Sequence, residues 1–85
     1  MKVFAHIPHE DRPELRAYVI AEAKMPPVVK HFYLEKKADD GSWVRSRKIK
    51  ASWFDRMLKR LGFDVVEAGF LLEEAVEEKL EEEDL

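Results

Sequence analysis

The chain has 85 residues, 46% hydrophobic and 39% charged, which is enough for one folded domain with a modest core and too apolar for a disordered chain. It has no cysteine, which excludes disulfides and thiolate chemistry, and no apolar run approaches the ~20 residues of a membrane-spanning helix. The net charge is −3. We expect a single domain, residues 1–85, without a membrane partner.

Asparagine, glutamine and threonine are also absent, while glutamate, lysine and arginine are abundant. Loss of thermolabile amides together with a high content of charge is typical of hyperthermophile proteins, so we expect a thermophilic source. The apolar stretch at the N-terminus is too short for a signal peptide. We therefore expect a cytoplasmic protein.

The first two predicted elements are a strand and a helix. Residues 2–7 alternate in polarity, as a strand does. Asp11 can cap a following helix, Pro13 suits its early turn, and apolar residues recur at helical spacing over 15–23. The two prolines at 26–27 would stop this helix.

Residues 28–50 are the most informative segment, because two strand-like runs flank an Asp-Asp-Gly sequence at 39–41. Gly41 supplies the left-handed backbone that a short loop needs, and the aspartates can bond to nearby amides. A three-residue loop places Ala38 opposite Ser42. The segment is therefore predicted to be a β-hairpin, and it is strongly basic.

This register predicts two favourable cross-strand pairs, Glu35 with Arg45 and Tyr33 with Arg47, each contributing about 0.2–1 kcal/mol. Because side chains alternate along a strand, the hairpin has two faces. The face predicted to be open carries His31, Tyr33, Glu35, Lys37, Trp43, Arg45, Arg47 and Ile49. The face predicted to meet the core carries Phe32, Leu34 and Val44.

A second helix is predicted after the hairpin, with Ser52 as its candidate N-cap and Gly62 as its end. Its apolar stripe consists of Trp53, Phe54, Met57, Leu58 and Leu61.

Residues 63–68 have two interpretations. The paired valines after a glycine favour a strand, which is the interpretation we prefer. In the alternative, Asp64 is an N-cap with Glu67 three residues later, and one long helix continues through residue 83. Residues 70–84 are predicted to form an acidic C-terminal helix in both cases.

The preferred interpretation gives an α+β domain with the order β-α-β-β-α-β-α, in which the first six elements follow the ferredoxin-like order. It has a small antiparallel sheet with helices on one face. The alternative gives β-α-β-β-α-α, with three strands and a long C-terminal helix. Both leave one face of the hairpin open.

Charge is divided unevenly along the chain. Residues 1–29 are neutral, residues 30–60 carry a net charge of +6, and residues 61–85 carry −9. Such asymmetry indicates a basic binding surface together with an acidic segment.

The open face would gather Phe4 and His6 of the first strand with the rings and guanidinium groups of the hairpin. This combination resembles the surface of RNA-recognition-motif domains, where bases stack on rings and phosphates contact cations. The first-strand sequence Val3-Phe4-Ala5-His6-Ile7 suits that family's motif, but residues 43–49 lack its glycine and spaced aromatics. We predict a non-enzymatic protein that binds DNA or RNA. The candidate binding residues are Tyr33, Trp43, Arg45, Arg47, Lys48, Lys50, Arg56, Lys59 and Arg60.

The competing hypothesis is a protein-interaction or assembly module, such as a small regulator or inhibitor of a larger partner. Its interface would be the acidic helix or an apolar helix face, with Phe70 and Leu71, or Trp53 and Phe54, forming a homodimer contact. The position of the acidic helix discriminates between the hypotheses. Over the hairpin it would block nucleic acid, whereas elsewhere it would leave the basic face free.

No catalytic or metal signature stands out. His6, His9 and His31 are the candidate metal ligands, but no cysteine accompanies them and Pro8 interrupts their spacing. The serines lack a recognisable base and nucleophile turn. We expect no catalysis, no metal, no cofactor and no small-molecule substrate.

Overall fold

A computed structural model describes residues 1–83, which form an antiparallel sheet followed by two α-helices. The strands are β1 (Lys2–Pro8), β2 (Leu15–Glu22), β3 (Val28–Lys37), β4 (Trp43–Arg45) and β5 (Ile49–Lys50). A single 3-10 turn (Ala51–Trp53) leads into α1 (Phe54–Leu61), and α2 (Val65–Glu83) follows. The predicted α+β class is confirmed. The order β-β-β-β-β-α-α replaces both predicted orders.

The sheet is a meander in the order β1-β2-β3-β4, and the short β5 pairs with β3 beyond the end of β4. Every pairing is antiparallel. The register places β2 between β1 and β3. Neither helix within residues 1–83 is both long enough and apolar enough to cross a bilayer.

The predicted first helix, which would begin at Asp11–Pro13 and stop near Lys24 or Met25, is wrong, because Leu15–Glu22 is β2. Its alternate residues Leu15, Ala17, Val19 and Ala21 are all buried on one face of the sheet. Pairing with strands on both sides satisfies the backbone of β2 over eight residues, which outweighs the helical spacing of its apolar side chains. Pro13 lies instead in a tight turn, closed by the Leu15 amide donating to the Arg12 carbonyl.

The hairpin loop has the predicted three residues. The Ala38 amide donates to the Ser42 carbonyl at 2.8 Å, and Gly41 takes a φ of +87°. Asp40 accepts hydrogen bonds from the Ser42 amide and hydroxyl. The predicted pairing of Glu35 with Arg45 is also confirmed.

Beyond Arg45 the predicted register is wrong by one residue. His31 pairs with Lys50 and Phe32 with Ile49, so Tyr33 is not opposite Arg47. The cause is a bulge at Ser46, whose hydroxyl accepts the Leu34 amide hydrogen bond that a regular ladder would give to a backbone carbonyl.

The long-helix interpretation of residues 63–68 is correct and the preferred strand is wrong. Asp64 Oδ1 accepts the Glu67 amide at 3.0 Å, which caps the first turn of α2. Phe63, just before the cap, is buried in the core with Ala68. The predicted acidic helix 70–84 lies within α2 up to Glu83, and residue 84 lies outside the described residues.

Helix α1 ends as predicted at Gly62, which has a φ of +83°. No side-chain cap is present at its start, so Ser52 does not act as the predicted N-cap. Phe54 and Leu58 of the predicted apolar stripe are buried, whereas Trp53 is exposed.

Both helices cover the same face of the sheet, and the core lies between the two layers. Phe32 and Phe54 meet edge to face with ring centroids 5.2 Å apart. Val76 of α2 packs on Val3 of β1. Val44, predicted to be buried, is 60% exposed because β4 extends past the area that the helices cover.

Candidate nucleic-acid interface

The face of the sheet that the helices leave uncovered is called the open face here. Three central cross-strand rows of side chains define it, between the row of Lys37 and Trp43 at one end and the row of Lys2, Glu22 and Val28 at the other. The rows are Pro8, Arg16, Glu35 and Arg45; then His6, Tyr18 and Tyr33; then Phe4, Ile20, His31 and Lys50.

A buried carboxylate organises the first row. Glu35 is only 3% exposed, although it lies on the uncovered side of the sheet. The Nε of Arg16 donates to its Oε1 at 2.7 Å, and the Nε of Arg45 donates to its Oε2 at 2.9 Å. Burial raises the pKa of Glu35, but the hydrogen bonds and charges of the two arginines outweigh this effect and bring the pKa below its ordinary value. Glu35 is therefore ionised at neutral pH and orients both guanidinium groups.

The same two arginines lie against aromatic rings. The Arg16 Cζ is 3.9 Å from the centroid of the Trp43 ring. The Arg45 Cζ is 4.5 Å from the Tyr18 centroid and 4.9 Å from the Tyr33 centroid. These cation–π contacts connect Glu35 and its two arginines to the aromatic rings beside them.

Aromatic side chains continue across the open face towards β1. Tyr33 and Tyr18 are roughly parallel with centroids 6.3 Å apart, and Tyr18 and Phe4 have the same separation. His31 packs edge-on against Tyr33, and His6 lies 4.8 Å from Tyr18. A continuous band of rings therefore connects three strands.

Both histidines of the open face have a pKa below the ordinary value. Burial and the charge of Arg16 lower the pKa of His6, against an opposing effect of Glu35. Partial burial and the charges of Lys48, Lys2 and Lys30 lower the pKa of His31.

The structure brings part of the predicted site together. Tyr33, Trp43 and Arg45 share the open face, and Lys50 joins them because it pairs with His31. Arg16 lies over the Trp43 ring, and the Lys37 Nζ is 5.7 Å from the ring centroid, so two cations already lie beside this ring.

The remaining predicted site residues differ in position. Arg47 and Lys48 are exposed in the irregular segment between β4 and β5. Arg56, Lys59 and Arg60 are exposed on α1, in the helical layer on the other side of the sheet.

Sequence reasoning missed two residues of the open face, Arg16 and Tyr18, because both lie in the segment predicted to be a helix. The strand alternation of residues 15–22 was the available signal, since it places an arginine, a tyrosine and an isoleucine on one face.

His9 is structural. Its Nδ1 accepts hydrogen bonds from the Asp11 and Arg12 amides, each at 3.1 Å, and its Nε2 lies 2.8 Å from the Leu61 carbonyl oxygen. Because amides only donate, Nε2 carries the hydrogen and donates it to Leu61. Within residues 1–83, no group of three or more potential ligand side chains is placed to hold a metal ion.

Comparison of the chain with protein-family models, curated proteins and solved structures gave no match, so the geometry of the open face is the basis for assigning a function.

Proposed function

We propose that this protein binds nucleic acid, DNA or RNA, through the open face and catalyses no reaction on it. The observation that carries the proposal is the band of rings on an uncovered sheet, bordered by arginines and lysines. Rings offer stacking surfaces to bases, while guanidinium and ammonium groups attract phosphates.

The position of the acidic helix supports the proposal. Helix α2 contains eight glutamates and one lysine, and it packs along β1 on the face opposite the rings. It therefore leaves the basic face uncovered. The negative charge of α2 and the positive charge of the open face, on opposite sides, also orient the molecule as it approaches a polyanion.

The arginine geometry supports it further. Of the Arg45 nitrogens, only the Nε donates a hydrogen bond to Glu35. The Arg45 side chain is 47% exposed, so its terminal NH₂ groups remain available to a phosphate. A guanidinium that is already oriented loses less conformational freedom when a ligand binds. We place the contact surface on the open face and leave Arg56, Lys59 and Arg60 outside it.

Replacing Arg45 and Arg47 by Ala should weaken binding to a labelled oligonucleotide about 20-fold at low salt, because phosphate contacts dominate affinity there. Fluorescence anisotropy measures the change. The wild-type affinity should also fall steeply as salt is raised.

The matched control is the pair Arg56→Ala and Arg60→Ala, which removes the same charge from the helical layer and should change affinity less than threefold. Circular dichroism checks that each variant is folded. Equal losses in the two double variants would point to non-specific attraction, and no wild-type binding at low salt would refute the proposal.

A second candidate function is protein–protein interaction through the helical layer. Val66 and Phe70 lie one helical turn apart on α2, and Phe70 is 60% exposed. Tyr, Trp and Phe in exposed apolar patches commonly anchor interfaces.

If this surface mediates self-association, sedimentation of the wild type should show dimers whose fraction rises with concentration, and Phe70→Ser should abolish them. A monomer at all concentrations would remove the homodimer form of this hypothesis.

A further inference from the structure

Three rings on the open face form a regular series, one from each neighbouring strand. Phe4 on β1, Tyr18 on β2 and Tyr33 on β3 have successive centroid separations of 6.3 Å. Their planes are inclined by only 14° and 27°. The rings therefore present stacking surfaces at nearly constant spacing and orientation across the sheet.

The spacing distinguishes between nucleic acids. One strand of B-DNA advances ~3.4 Å per nucleotide, which is little more than half of the 6.3 Å between the rings. Bases that meet successive rings must therefore be separated from one another. Unstacked bases are available in a single strand, whereas a duplex keeps them paired and stacked.

The exposure of the first ring supports the same choice. Phe4 is 58% exposed, whereas its row neighbour Ile20 is only 5% exposed. A duplex held by its phosphates gains nothing from an exposed phenyl ring, whereas an unpaired base gains a stacking partner.

Cations lie beside the ring series on two sides. Lys2, Lys30 and Lys48 act electrostatically on His31, which adjoins Tyr33. On the other side, Arg45 lies over part of Tyr18 and Tyr33, where its planar guanidinium has a free face on which a base can stack in turn.

We infer that the open face selects single-stranded nucleic acid, which crosses the strands of the sheet with successive unstacked bases on Phe4, Tyr18 and Tyr33. This inference rests on the proposed function and adds the class of ligand to it.

The test compares a labelled oligothymidylate of roughly 12 nucleotides with its duplex at low salt, using wild type and Phe4→Leu. The single strand should bind at least tenfold more tightly than the duplex. Phe4→Leu should lose about tenfold in single-strand affinity, because leucine keeps the apolar contact but removes the stacking surface. The matched control is Phe70→Leu, the same change at an exposed phenylalanine of α2, which should leave affinity unchanged.

Duplex binding as tight as single-strand binding, with no effect of Phe4→Leu, would overturn this inference and leave the proposed function standing. Binding to neither form would overturn both. Equal losses in Phe4→Leu and Phe70→Leu would show that the ring series is not the binding surface.

Discussion

Replacing Glu35 by Gln should lower the free energy of unfolding at pH 7 by about 2–3 kcal/mol. The carboxylate is 3% exposed and accepts charge-assisted bonds from Arg16 and Arg45. Removing one partner of a buried ion pair typically costs about 3–5 kcal/mol. We expect a smaller loss because the arginine side chains are 25% and 47% exposed and can recover hydration. Urea denaturation measures the difference.

The stability of the wild type should depend on pH in a way that the variant does not share. The arginines hold the pKa of Glu35 below its ordinary value of 4.5, so the unfolded chain binds the proton more readily. The stabilisation is therefore complete above pH 4.5 and is lost as the pH falls through the lower folded pKa. His6 also faces this cluster. The difference in free energy of unfolding between wild type and Glu35→Gln should therefore disappear in strong acid. A difference that stays constant from neutral to acid pH would show that the carboxylate charge is not the source of the stabilisation.

The hairpin loop and the end of α1 could be predicted from the sequence because their chemistry is local. Gly41 and Gly62 both take positive φ values, which other residues adopt only with strain. The pairing of Glu35 with Arg45 followed from the loop length alone. At these positions a few consecutive residues determine the backbone, so the sequence was sufficient.

The sequence alone did not decide between strand and helix at β2, because its residues satisfy two periodicities. Leu15, Tyr18 and Val19 recur at helical spacing, while Leu15, Ala17 and Val19 alternate as in a strand. The choice depends on β1 and β3, which lie on either side of it in the sheet. Local signals thus supported the wrong element, as they do when tertiary pairing overrides propensity.

That single error also accounts for the incomplete site. A helix at residues 15–23 would have carried Arg16 and Tyr18 away from the hairpin, and Glu35 would have kept one arginine partner instead of two. The bulge at Ser46 had a smaller effect, because it shifted Lys50 onto the open face beside His31. The surface is therefore richer in rings and more closely organised around Glu35 than the hairpin alone implies.

Replacing His9 by Ala should lower the free energy of unfolding by about 3 kcal/mol. The buried ring links the turn before β2 to the last turn of α1, two segments that are remote in sequence. Its loss would leave the Asp11 and Arg12 amides and the Leu61 carbonyl without this partner, and each buried polar group left unpaired costs about 1–3 kcal/mol. It would also open a cavity beside Phe63, whose ring lies 4.7 Å from the imidazole.

The control for this prediction is His6→Ala on the open face, where the side chain is 49% exposed, and it should cost less than about 1 kcal/mol. His9→Ala should also leave the affinity for nucleic acid unchanged under conditions where it remains folded, because His9 lies apart from the open face. A loss of stability no larger than that of His6→Ala would show that water replaces the imidazole at little cost. The turn and the helix would then be held together chiefly by the contacts of Phe63 and its apolar neighbours.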